Sequence, residues 1–115
     1  MRRICVLLTV LCGLVGSSAL AADRYFGFNE TTSTVFKGVY LAPAGTTNWG
    51  PNEALNDKDK IWDTGERLKI NHASRGVFDL KVVDRTGRAC IKHGIDLRKD
   101  LTFDIRDQDL AACKP

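Results

Sequence analysis

Asp63-Thr64-Gly65 is the chemically most suggestive tripeptide in the chain. The sequence D-T-G forms the catalytic loop of aspartic proteases, where two such aspartates share one proton. Here Glu66 and Arg67 follow the glycine where a small residue belongs, and no later apolar-apolar-glycine element fits. The tripeptide therefore reads as a tight turn feeding a strand. A second cluster, Asn52, Glu53, Asn56, Asp57, Asp59 and Asp63, raises calcium. An EF-hand loop needs oxygen ligands at alternate positions, and after Asp57 and Asp59 the next slot is Ile61. A less regular calcium site in the loop 42–59 stays as an alternative. His72 and His93, the only histidines, lie far apart, and no serine or cysteine sits in a nucleophile motif. The expectation is a protein that is not an enzyme, with no cofactor and no metal centre, and with both histidines as ordinary strand-end residues.

The cysteines speak to compartment. Arg2 and Arg3 precede an apolar run from Ile4 to Val15, and Ala19-Leu20-Ala21 supplies a small-x-small cleavage site. That order marks residues 1–21 as a secretory signal peptide and 22–115 as a single mature domain. The run is too short to span a bilayer and no later segment is apolar enough, so stable membrane insertion is not expected. Periplasmic or secreted localisation follows. Cys5 and Cys12 leave with the leader, which leaves Cys90 and Cys113 to form one disulfide in an oxidising compartment. The C-x-x-C spacing of a zinc or redox pair is absent.

The chain holds 17 Lys and Arg against 14 Asp and Glu, and two of the arginines lie in the leader. The remainder is almost neutral with its signs interspersed, which argues against a nucleic-acid or polyanion surface. Asn29-Glu30-Thr31 has the form of a glycosylation sequon, relevant only in a eukaryotic source.

The elements that would position these residues are strands. Leu68 and Ile70 alternate with Arg67, Lys69 and Asn71; Phe78, Leu80 and Val82 alternate with Asp79 and Lys81; Leu101, Phe103 and Ile105 alternate with Thr102, Asp104 and Arg106. Such period-two patterns describe strands with one buried and one wet face. Segments 25–28, 35–42, 60–63 and 88–92 add further candidates, and Gly, Pro, Asn and Asp clusters punctuate them. The fold class is all-β, a small antiparallel β-sandwich of about seven strands with one disulfide. One helical turn is expected around residues 52–55 and another near 108–112.

Trp49 lies in the middle of the long polar loop and must find something to bury it. The favoured expectation is a plug folded back over the open end of the core. The competing one is an aromatic anchor for a partner, with Tyr40, Pro51 and Asn52 beside it as the candidate binding surface.

Gly38-Val39-Tyr40-Leu41-Ala42-Pro43-Ala44-Gly45, with Asn48-Trp49-Gly50-Pro51-Asn52 and Leu55, resembles a family of small, mostly uncharacterised exported bacterial proteins. Its pattern is Y-x-S-P-x-G-x-x-x-W-G-x-[DN]-x-L, followed by a Pro-Gly-Glu turn and an aromatic-Asp strand. Thr64-Gly65-Glu66 and Phe78-Asp79-Leu80 look like those two elements. The resemblance implies a periplasmic or secreted β-sandwich without known activity. Members often carry a cysteine before the aromatic-Asp strand, where this chain has Arg75-Gly76-Val77, so Cys90 with Cys113 would be a local solution. The functional expectation is a non-enzymatic module binding a protein or cell-envelope component. The alternatives are an inhibitor of an envelope or host enzyme, such as a lysozyme or protease, and a calcium-binding module.

Overall fold

The apolar alternation resolves into six strands in the computed structural model, which describes residues 24–113. The signal peptide expected at residues 1–21 lies outside the described residues. In chain order the strands are β1 (Tyr25–Glu30), β2 (Phe36–Pro43), β3 (Arg67–Ile70), β4 (Val77–Asp84), β5 (Ala89–Asp96) and β6 (Thr102–Arg106), followed by a short helix α1 (Asp107–Ala111). A single 3-10 turn, Glu53–Asn56, falls in the long segment between β2 and β3.

Two three-stranded sheets pack face to face, in the orders β3-β1-β6 and β2-β4-β5. The pairs β1–β3, β2–β4 and β4–β5 are antiparallel. β1 and β6 run parallel, from Phe26 opposite Thr102 to Glu30 opposite Arg106. A parallel pair needs a long crossover, and here the rest of the domain supplies it.

Trp62 occupies the centre of the core with 0% of its surface exposed. Its ring lies 5.8 Å from that of Phe36 and 6.3 Å, edge-on, from that of Phe103. Its Nε1 donates to the Glu66 carbonyl at 2.9 Å, so the polar end of the indole is satisfied. Gly27 makes room for this ring: a Cβ there would sit 2.9 Å from the Phe103 ring and 3.0 Å from that of Trp62. The plug of the sandwich is therefore Trp62. Trp49 is only half-buried and lies outside the core cluster.

Of the seven expected strands, the segment 60–63 is reduced to one bridge. Phe36 N donates to Trp62 O at 3.1 Å and Trp62 N to Phe36 O at 2.8 Å. Lys60 takes a left-handed φ of 61°, which bends the chain before pairing can extend. Asp63 then begins a turn, with Thr64 N donating to its Oδ1 at 2.8 Å and Glu66 N to its carbonyl at 3.2 Å.

The disulfide joins Cys90 on β5 to Cys113 beyond α1, with Cα atoms 5.5 Å apart. It holds α1 against the end of the sandwich, where Leu110 packs on the core. Closing a loop of 23 residues contributes about 3 kcal/mol on the chain-entropy account. The bond is consistent with an oxidising extracellular compartment. Among the described residues no helix is long and apolar enough to cross a membrane.

Candidate functional site

The segment after β2 doubles back along that strand, and the reason lies in its backbone hydrogen bonds. Gly45 adopts a left-handed φ of 82°, which a glycine accepts without strain, and turns the chain. Gly50 N then donates to Leu41 O at 2.9 Å. Asn52 continues the contact through its side chain: Oδ1 accepts from Val39 N at 2.9 Å and Ala54 N at 3.0 Å, while Nδ2 donates to Lys37 O at 3.0 Å. An amide side chain thus stands in for a neighbouring strand on the open edge of β2.

Glu53 and Asn56 do the same for the open edge of β3. The Glu53 side chain is 1% exposed; its Oε1 accepts from Asn71 N at 2.8 Å and Asn56 Nδ2 at 2.7 Å. Its Oε2 lies 3.2 Å from His72 N and 3.0 Å from His72 Nδ1. Asn56 Nδ2 also donates to Lys69 O at 2.9 Å. One short segment therefore covers one edge of each sheet, β2 and the end of β3, where a sandwich is otherwise open to strand addition. In the oxygen-rich stretch read as a possible calcium loop, Asn52 and Glu53 direct their oxygens to backbone amides. Asp57 Oδ2 likewise accepts from Asp59 N at 2.8 Å. Among the described residues no group of three His, Cys, Asp or Glu side chains is placed to hold a metal.

Trp49 points elsewhere. On the solvent side of the β2-β4-β5 sheet, Tyr40, Lys81 and Ile91 form one cross-strand row. Lys81 Nζ lies 5.0 Å from the centre of the Tyr40 ring and 4.9 Å from that of Trp49. The ammonium is thus held between two aromatic faces. Among the described residues no carboxylate lies within ion-pair distance of it. Ile91 is 40% exposed beside them.

A groove of about 480 Å³ opens here, bordered by Trp49, Ile91, His93 and the 44–47 turn. Its floor is Asp79, whose side chain is 6% exposed. Oδ2 accepts from Gly45 N at 3.0 Å, and Oδ1 lies 3.4 Å from Gly94 N and 3.1 Å from His93 Nδ1. The Gly45 amide, opposed by burial and helped by His93 and Gly94, holds the Asp79 carboxyl below the ordinary aspartate value. With both oxygens engaged, Asp79 braces the turn and orients the exposed His93 ring.

The structure therefore brings Tyr40 and Trp49 together, leaves Pro51 exposed next to them, and turns Asn52 away into the edge seal. Asp63 sits in its exposed turn, and the sequence holds no second D-T-G with which it could share a proton. The Asn29 sequon is closed: Asn29 is fully buried and Nδ2 donates to Thr34 O at 2.9 Å and Trp62 O at 3.1 Å. Sequence reasoning missed Lys81, Ile91 and the Asp79–His93 pair. The alternation of β4 already put Asp79 and Lys81 on the wet face, and pairing β4 with β2 would have brought Lys81 beside Tyr40.

What fold and site define is a disulfide-stapled, all-β sandwich with an aromatic and cationic patch on one outer face. The chain matches no protein-family model, no curated protein and no solved structure.

Proposed function

We propose that the protein is a non-enzymatic binding module, exported to the periplasm or secreted, that engages a protein or cell-envelope component through the outer face of the β2-β4-β5 sheet. The observation that carries this reading is the Tyr40–Lys81–Trp49 stack. A half-buried indole and a phenol ring are held on the solvent side of a sheet, with an exposed Ile91 next to them and an ammonium that has no carboxylate partner among the described residues. Aromatic side chains with restricted freedom are the usual anchors of protein recognition, because little entropy is lost when they are covered. The inhibitor alternative gains nothing from the loop 42–59. Its second half is pinned along β2 and β3 and does not project as a rigid finger would.

The reading is tested by photo-crosslinking from position 91 in envelope extract, comparing the parent with Trp49→Ala and Lys81→Glu. A discrete adduct lost in both variants, with thermal midpoints close to the parent, supports it. Adducts identical in all three proteins, or none, contradict it.

A further inference from the structure

We propose that a second surface, on the outer face of the β3-β1-β6 sheet, binds an acidic polysaccharide. This surface lies on the other sheet and does not rest on the reading above. Arg24, Lys58, Arg67 and Lys69 surround a groove of about 340 Å³ with Phe26 at its base. The register puts Lys69 opposite Phe26 and Arg67 opposite Phe28, on one face of neighbouring strands. Arg67 and Lys69 stand two residues apart, so their Cα atoms are separated by roughly 7 Å along that face.

Charge pairing divides this sheet in two. On the β6 side the cations are neutralised: Arg106 meets Glu30 at 2.6 Å and Asp104 at 3.0 Å, and Lys92 from β5 reaches Asp104 at 3.2 Å and Asp109 at 3.0 Å. On the β3 side none of the four cations has a carboxylate within ion-pair distance among the described residues. The one acid lining the groove, Asp57, has its Oδ2 held by Asp59 N and keeps its charge, so four cations face a single carboxylate. Like charges gathered on one face repel and oppose folding, and an anionic ligand relieves that repulsion. The Arg67 guanidinium is also ordered in advance, lying 4.5 Å from the centre of the Phe26 ring. A planar fork held flat on a ring keeps its edge donors for a carboxylate.

Three features select a charged saccharide over other polyanions and over a protein. Base stacking needs a free aromatic face, and the Phe26 face is occupied by Arg67. The two rings of the other patch, Tyr40 and Trp49, belong to the opposite sheet. A protein partner would need an apolar anchor, and none of the exposed large apolar side chains, Leu55, Ile91 and Leu101, lines the groove. What remains is a groove lined mainly by cationic and polar side chains.

The test is titration of the folded protein with oligogalacturonate at low salt, beside neutral dextran and single-stranded DNA of equal charge. The expected result is binding that weakens linearly in log salt and falls tenfold or more in Arg67→Gln/Lys69→Gln. Arg67→Lys, which keeps the charge and loses the fork, should bind several-fold more weakly than the parent. Arg85→Gln/Lys99→Gln, an equal charge change on two turns outside the groove lining, should bind as the parent does. Both altered positions are exposed, and unchanged thermal midpoints will show that the variants fold. No binding, binding indifferent to the double variant, or equal affinity for DNA overturns the proposal.

Discussion

Trp49 and Asn52 stand three residues apart in one motif and do opposite work. Trp49 lies out on the sheet with its ring against Lys81, whereas Asn52 turns its amide into the edge of β2. Glu53, the next residue, is buried completely and gathers the first backbone amides beyond β3. The contrast teaches that a compact sequence motif can be half surface and half framework. The framework half fixes where the surface half sits, since Gly50 and Asn52 both anchor the chain to β2 on the C-terminal side of the indole. Stability and recognition should therefore separate within these few residues.

The sharpest break falls at Glu53. Replacing it with alanine takes the acceptor from the partly buried amides of Asn71 and His72 and from one donor of Asn56. Several unsatisfied groups together destabilise by about 3 to 5 kcal/mol. Urea unfolding of Glu53→Ala should show that loss; a change under about 1 kcal/mol would mean that the edge seal is dispensable.

Asn52→Ala comes next, at about 2 kcal/mol, because it removes the 3-10 turn's cap together with both contacts to β2. Asn52→Asp keeps the acceptor and loses the donor to Lys37 O, so it should fall between parent and alanine variant. An aspartate variant less stable than alanine would contradict the account of the edge.

The smallest effect is the pH dependence set by Asp79. Its folded-state value is depressed, so its contribution is present above the unfolded aspartate value near 4 and is lost as pH falls through the lower folded value. Asp84, lowered chiefly by the Thr86 hydroxyl, acts in the same direction. Urea midpoints of the parent should decline as pH falls below about 4, and Asp79→Asn should flatten part of that decline. An equally steep decline in the variant would show that the carboxyl is not braced by Gly45 and His93.

Much of the fold was legible because burial has a period. Leu68 and Ile70, and Leu80 and Val82, face the core as their alternation demands, and Cys90 pairs with Cys113 as expected. Both short helical turns also fall within one residue of the segments expected for them. The parallel pairing of β1 with β6 was not legible, since no local pattern records which distant edges meet. Nor was the edge seal: Asn52, Glu53 and Asn56 look like any solvated loop until the strands they serve are placed. The two tryptophans were exchanged for a related reason. Trp62, between Ile61 and Asp63, resembles a strand residue, yet Gly27 and Phe103 shape the cavity it fills from elsewhere in the chain.

The account's central claim is that the Tyr40–Lys81–Trp49 face recognises while the Asn52–Glu53 edge supports. A single paired measurement on Trp49→Ala and Asn52→Ala decides it, reading unfolding free energy and affinity for the crosslinked partner in the same samples. The account predicts that Trp49→Ala loses no more than about 1.5 kcal/mol of stability, below the range for fully buried aromatics, and at least about 2 kcal/mol of binding. Asn52→Ala should lose stability and, under conditions where it remains folded, bind nearly as the parent does. A Trp49→Ala protein that unfolds like a core mutant, or that binds its partner undiminished, would contradict the claim.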